Sequence, residues 1–151
     1  NSARDTLRKA RAAIDDLREN NHFDSFHQAA IHMIEQFKST QSTNVEYNIS
    51  PIPALSNLMM ENSLYILSEC LANISKHSKA TQASITIKKL KESLFMEIED
   101  NGKGFKTNAI GKQTGKYGLL GLKERSQLIG GELTINSTPG KGTRVAVTIP
   151  L

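Results

Sequence analysis

The sequence has no tryptophan, only one cysteine, and an aromatic content of 5% over 151 residues. Because Cys70 stands alone, neither an internal disulfide nor a cysteine-rich metal site can form. It lies in an apolar helical pattern, which favours a small buried side chain over a reactive one. A chain with so little cysteine fits a reducing, cytoplasmic compartment.

Long apolar runs are also missing. None reaches the roughly 18 residues that a membrane span needs, and no basic-then-apolar start indicates a secretory signal. The sequence therefore predicts a soluble chain without membrane contact. Since its first residue is Asn1 rather than methionine, we expect a piece of a longer protein.

Hydrophobic residues make up 38% of the chain and charged residues 23%, as in ordinary globular domains. The net charge of +4 suggests an anionic partner: nucleic acid, an acidic protein or a polyphosphate. Nucleic acid is disfavoured. Acidic residues interrupt the basic run at residues 4–18, and few aromatic residues are present to stack on bases.

Hydrophobic periodicity divides the chain into an appendage and a domain. Residues 5–19 carry a narrow apolar stripe at helical spacing, too thin for a globular core, so residues 1–20 are predicted to pair with another segment. For residues 21–151 the patterns predict helices at 25–38, 60–78 and 119–129, and strands at 45–49, 83–90, 94–99, 132–136 and 144–149. These elements predict an α+β fold, a two-layer α/β sandwich with an antiparallel-rich sheet and an appended N-terminal helix.

Three segments carry candidate chemistry. In the first, Glu69, Asn73 and Lys76 or His77 are spaced to project from one helix face. A carboxylate, a carboxamide and a cation in one row suit a magnesium–phosphate group. Taken alone, the same row also fits the solvent-facing side of an amphipathic helix.

The second segment, Asp100 to Phe105, follows a predicted strand directly. Gly102 and Gly104 permit backbone conformations closed to other residues, and Asp100 is suited to accept a hydrogen bond from an exocyclic amine. The third segment leads through Gly118 and Gly121 into a helix start, where free amide groups favour an anion. By themselves these two patterns also fit a hairpin turn and a flexible loop.

Together, in this order and separation, the segments resemble the ATPase domain shared by sensor histidine kinases, DNA gyrase, the large heat-shock chaperone and the MutL repair protein. Residues 69–73 are similar to that family's N box, DNGKG at 100–104 to its G1 box, and GKYGLLGL at 115–122 to its G2 box. The stretches ECLANISKHSKA and GLLGLKER resemble the kinase branch that pairs with NarL-type response regulators. Residues 4–18 are similar to the end of that branch's second dimerisation helix.

The resemblance implies the Bergerat-type ATP-binding fold and a role for each matching residue. Asn73 would hold Mg²⁺, with Glu69 beside it as a polar or basic group near the γ-phosphate; these two are the catalytic candidates. Asp100 would accept from the adenine amine, supported by Thr143. The remaining ATP contacts would come from Lys76, His77, Gly102, Gly104, and the backbone amides of Gly118, Leu119, Leu120 and Gly121, under a lid at 106–117.

A histidine kinase needs a phosphoacceptor, and the family's acidic context for it is absent around His22, His27, His32 and His77. The resemblance therefore implies a kinase domain that binds ATP and phosphorylates a histidine outside this chain. Its partners would be the dimerisation and phosphoacceptor domain of the same homodimeric kinase and a response regulator. An ATP-hydrolysing clamp of the gyrase or MutL type remains the alternative.

Overall fold

A computed structural model describes residues 25–106 and 117–151. The predicted helix at 5–19 and most of the predicted lid lie outside these ranges. The division at residue 20 therefore stays a prediction.

Two helices precede most of the sheet. Helix α1 spans Phe26–Thr40 and begins at Ser25, whose side chain accepts a hydrogen bond from the amide of Gln28. Helix α2 spans Asn57–Asn73 and is capped in the same way by Ser56, which accepts from the Met59 amide. Both helices start where a serine supplies an acceptor for the free first-turn amides.

Five strands form one mixed sheet in the order β1-β2-β3-β5-β4. Strand β1 pairs with β2 in parallel, and all other neighbours are antiparallel. The parallel pair requires a long crossover connection, which contains α2. The strands are β1 Asn44–Ile49, β2 Gln82–Leu90, β3 Ser93–Asp100, β4 Glu132–Ser137 and β5 Thr143–Pro150.

The helices cover one face of this sheet. Alternate side chains of β2, β3 and β5 are buried against them, while their neighbours along each strand face the other side. The helices contribute apolar side chains such as Ile34, Leu64, Leu67 and Leu122, all fully buried. Each such side chain stabilises the fold by roughly 1.5–3 kcal/mol relative to exposure. This is the predicted two-layer α/β sandwich.

The boundaries of all three helices differ from prediction. Helix α1 spans Phe26–Thr40 rather than 25–38, and α2 begins at Asn57, three residues before its predicted start. Helix α3 spans Tyr117–Leu128 and so begins two residues earlier than the pattern suggested. The helix predicted to run to residue 78 is α-helical only to Asn73, and Ile74–Ser78 form a single π turn. Among the described residues, no helix combines the length and apolar character that crossing a lipid bilayer requires.

Candidate functional site

Three polar side chains lie in one row across the end of the sheet. Asp100 on β3 is directly opposite Thr143 on β5, which is directly opposite Ser137 on β4. Directly paired residues in antiparallel strands point to the same face. Asp100 continues the buried series Leu94, Met96 and Ile98, so the row faces the helix layer.

Asp100 is 9% exposed, and its carboxylate is held by the backbone. Its Oδ1 accepts a hydrogen bond from the Gly102 amide at 2.8 Å, and the carboxylate also accepts from the Thr143 amide. Burial raises the pKa of Asp100, and these two amide bonds partly offset that rise. The side chain is therefore a fixed acceptor in a largely dry position.

The loop after Asp100 is docked onto the turn between β4 and β5. The Gly140 amide donates to the Lys103 carbonyl at 2.5 Å. Gly104 has a φ of +66°, and a Cβ atom there would overlap the carbonyl oxygen of Thr138. Gly104 is thus required for close packing of two backbone segments, in addition to the ligand contact that the resemblance implies.

On its other side the same loop is tied to the start of β2 by Asn101. Its Oδ1 accepts from the amides of Thr81 and Gln82, each at 3.0 Å. Its Nδ2 donates to the Thr81 hydroxyl at 2.9 Å. Asn101 therefore fixes the loop from one side while the β4–β5 turn fixes it from the other.

Ser137 joins three backbone and side-chain groups. Its Oγ accepts from the Phe105 amide at 2.9 Å and lies 3.0 Å from the Gly142 carbonyl oxygen. It is also 2.8 Å from Thr143 Oγ1. The sequence patterns did not single out Ser137, although it continues the two-residue alternation of Leu133 and Ile135.

Glu69 lies on α2 and is only 3% exposed. Its Oε2 has no hydrogen-bond partner among the described residues. Burial raises the pKa of the Glu69 carboxyl, and the nearby Lys76 ammonium partly lowers it. An unpaired buried carboxylate oxygen is costly and marks a position where a ligand, water or ion has a place.

Helix α2 brings Glu69 near the Asp100 end of β3. The charges of both act on the Cys70 thiol: its pKa is raised chiefly by burial, and further by the charges of Glu69 and Asp100. Cys70 is 3% exposed, as its apolar surroundings predicted. The first and second candidate segments therefore meet in one region of the molecule.

The π turn reshapes the last part of the first segment. Asn73 is the final residue of α2 and is half-buried, whereas Lys76 within the turn is exposed. π turns inside or beside α-helices are frequent at functional sites. Asn73 stays one helical turn from Glu69 within α2, and the charge of Lys76 acts on Glu69, but Lys76 does not lie on the continuous α-helix predicted. The side chain of His77 is not among those that the structure describes.

The third candidate segment forms the start of α3. The amides of the first three residues of an α-helix have no acceptor within it, and here they include Gly118 and Leu119. Leu120 is the fourth residue of α3, and in α1 the fourth residue, Ala29, already donates to the capping residue Ser25. Leu119 is buried and Leu120 is 40% exposed. Amides at this end of a helix favour an anion, because they lie at the positive end of the helix dipole.

Gly121 lies one turn into α3 and touches α2. A Cβ atom at this position would stand 3.1 Å from the hydroxyl oxygen of Tyr65. Arg125, one turn further on, lies over the same ring at 4.7 Å from its centroid and donates to Asn62 Oδ1 at 3.4 Å. This contact orients α3 against α2 and was not evident from the sequence.

The donor set fits a magnesium ion held mainly by phosphate and water. Residues 25–106 and 117–151 contain no cluster of three or more His, Cys, Asp or Glu side chains that would cage a metal. What they offer is the Asn73 carboxamide and the unpaired Glu69 oxygen. Mg²⁺ usually takes few protein oxygens and keeps several waters or phosphate oxygens.

An α/β sandwich with a buried carboxylate at a strand end, a glycine loop and a helix start defines a class of nucleotide-binding ATPase domain. The profile of the histidine kinase-, DNA gyrase B- and HSP90-like ATPase family matches residues 62–151. The chain belongs to this family, and the resemblance on which its function was predicted is confirmed.

Curated relatives are sensor kinases. The chain is 42% identical over 92 residues to the sensor histidine kinase YdfH of Bacillus subtilis strain 168, covering 60% of this chain and 23% of YdfH. It is 32% identical over 119 residues to LiaS of the same organism, covering 79% of this chain and 32% of LiaS. The chain thus spans less than a third of these two relatives.

Solved structures share the fold. The Erythrobacter litoralis EL346 blue-light activated histidine kinase superposes with a TM-score of 0.80 at 18% identity, covering all of this chain and 50% of that one. The ATP binding domain of PrrB from Mycobacterium tuberculosis gives a TM-score of 0.62 at 20% identity, covering 83% and 90%. The predicted Bergerat-type fold is confirmed.

Proposed function

We propose that this chain is the ATP-binding kinase domain of a sensor histidine kinase, and that it transfers the γ-phosphate of ATP to a histidine outside these 151 residues. The observation that carries the proposal is the buried Asp100 carboxylate, held by the Gly102 and Thr143 amides. By resemblance to the family, this carboxylate is assigned to reading adenine. The names of the relatives agree with this activity.

Each part of the site has a task in this proposal. Asp100 accepts a hydrogen bond from the adenine amine, with Thr143 beside it in the same row. The first-turn amides of α3 at Gly118, Leu119 and Leu120 bind the phosphates, as an anion at a helix start requires. Phosphoryl transfer depends mainly on positioning and charge neutralisation, which such groups supply.

Further phosphate contacts are assigned to Lys76, His77 and Gly121, and the adenine wall to Gly102 and Gly104. Asn73 is the proposed magnesium ligand. When bound, Mg²⁺ would neutralise charge on the triphosphate. Glu69 lies one helical turn before Asn73, one of its oxygens is unpaired among the described residues, and its pKa is raised, so it can hold a proton or polarise a group near the γ-phosphate.

None of the four histidines is assigned as phosphoacceptor. His27, for example, is tied to the fold, with Nδ1 3.2 Å from the Ser50 carbonyl oxygen. The proposed partners are therefore the dimerisation and phosphoacceptor domain of the same kinase, a homodimer, and a downstream response regulator. We place this domain in the cytoplasm, as part of a membrane-bound sensor, with no nucleic acid among its ligands.

An ATP-hydrolysing clamp of the gyrase or MutL type uses the same fold. The similarity to named sensor histidine kinases favours the kinase. A transfer assay decides between them. The chain is mixed with the dimerisation domain of its own protein and labelled ATP; label on a histidine supports the kinase, and release of free phosphate alone supports the clamp.

Nucleotide titration tests the adenine assignment. Asp100→Asn should weaken ATP binding by at least about tenfold, because one amine–carboxylate hydrogen bond is lost. Glu99→Gln is the matched control, since Glu99 is adjacent and exposed on the opposite face of the sheet. Unchanged affinity in the Asp100 variant would refute the assignment.

Asn73→Ala should abolish magnesium-dependent transfer.

A further inference from the structure

Ser137 is the third member of the row that contains Asp100 and Thr143, and it is the only one of the three without an assigned role. It lies on β4, directly across from Thr143. Its hydroxyl has one proton and three close partners. The distribution of protons among these partners determines what Thr143 presents to a ligand.

Two of the partners have fixed roles. The Phe105 amide can only donate to Ser137 Oγ, at 2.9 Å, and the Gly142 carbonyl oxygen can only accept from it, at 3.0 Å. The third partner, Thr143 Oγ1 at 2.8 Å, can act in either way. Only one assignment makes all three contacts favourable.

In that assignment Ser137 donates its proton to Gly142, and Thr143 donates its proton to Ser137. The opposite assignment would turn the Ser137 proton toward Thr143. It would leave two oxygens 3.0 Å apart, Ser137 Oγ and the Gly142 carbonyl, with no proton between them. Half-buried lone pairs that face each other in this way are unfavourable.

We infer that Ser137 is a specificity-determining residue. It accepts a hydrogen bond from the Thr143 hydroxyl, so that Thr143 and Asp100 together present only hydrogen-bond acceptors to the base. This inference rests on the proposed adenine site. A row of acceptors matches the 6-amino group of adenine. It disfavours a 6-oxo purine, whose oxygen would face lone pairs without a donor.

The inference is tested by comparing the affinities of ATP and inosine triphosphate, which carry an amine and an oxygen at position 6. In Ser137→Ala the Thr143 proton is free to turn toward the base and donate to the oxygen. The ratio of ATP to inosine triphosphate affinity should then fall by about fivefold to tenfold. Ser137→Thr retains a hydroxyl at this position and should keep the wild-type ratio.

A double-mutant cycle connects the effect to Thr143. Thr143→Val removes the hydroxyl that Ser137 orients, so adding Ser137→Ala to it should not change the ratio further. If Ser137 had only a structural role, Ser137→Ala would weaken the binding of both nucleotides equally and leave the ratio unchanged. That result would overturn the inference. Should Ser137→Ala fail to fold in a thermal melt, Ser137→Cys gives the same comparison with a poor acceptor.

Failure of the proposed function itself is distinguishable. If the wild-type domain bound neither nucleotide, the adenine site would be wrong and Ser137 would have no base to discriminate. If it bound ATP with a ratio that Ser137→Ala and Ser137→Cys both left unchanged, the adenine site would stand and the role of Ser137 would be refuted.

Discussion

A side chain on Gly142 would overlap the main-chain carbonyl oxygen of Asp100, and its Cβ atom would lie 2.9 Å from the carbonyl carbon of the same residue. The turn between β4 and β5 therefore approaches the end of β3 as closely as a glycine allows. Because Asp100 holds the proposed adenine contact, the geometry of that contact depends on a residue 42 positions further along the chain.

Gly142→Ala should destabilise the domain by more than about 3 kcal/mol, because it combines overlap with backbone atoms and a positive φ of +88°. Gly140→Ala is a close control: φ is +82° and its Cβ would have no heavy atom within 4 Å. Gly140→Ala should lower the free energy of unfolding by only about 1–2 kcal/mol. Urea denaturation measures both, and equal losses would contradict the packing explanation.

Much of the fold was predictable because its signals are local. Alternation of apolar and polar residues placed each strand to within one residue of its observed ends. The glycines after Asp100 and the start of α3 were visible as short motifs. The predicted helix and sheet layers follow from these patterns, since each apolar face must be buried against another element.

Long-range relations were not predictable in this way. Nothing in the local sequence places β5 between β3 and β4, and yet that order brings Thr143 directly opposite Asp100. The π turn at Ile74–Ser78 likewise has no local signature, because its five residues fit an α-helical pattern equally well. The contact of Arg125 with Tyr65 depends on how two helices pack.

That helix contact leads to a second prediction. Arg125→Ala should destabilise the domain by about 1–2 kcal/mol, since it removes the cation over the Tyr65 ring and the hydrogen bond to buried Asn62. Arg125→Lys should destabilise the domain by less than Arg125→Ala does, because lysine keeps the charge without the planar guanidinium.

Lys123→Ala is the control for Arg125, as Lys123 is exposed on the same helix. It should change the free energy of unfolding by no more than about 0.5 kcal/mol. If Arg125→Ala were as mild as Lys123→Ala in urea denaturation, the contact between α2 and α3 would contribute little to stability, and its role in orienting the first turn of α3 would be in doubt.

The third prediction concerns pH and the buried Glu69. Burial raises the pKa of its carboxyl above the usual 4.5, with a smaller opposing effect from Lys76. The folded domain therefore holds this proton more tightly than the unfolded chain does. The stability that protonated Glu69 contributes is fully present below its unfolded pKa and is lost as the pH rises through its folded pKa.

Glu69→Gln removes this titration and should flatten the corresponding part of the pH profile. Urea denaturation between about pH 4 and about pH 8 should show wild type losing stability relative to Glu69→Gln as the pH rises. Glu61→Gln, a half-exposed position on the same helix, should follow the wild-type profile. The pKa of Asp100 is also raised, but Asp100 is present in all three proteins. The difference between their pH profiles therefore reports on Glu69. Parallel profiles for wild type and Glu69→Gln would mean that the carboxylate is already compensated in the folded state, and Glu69 would then lose its place as a strained group poised for a ligand.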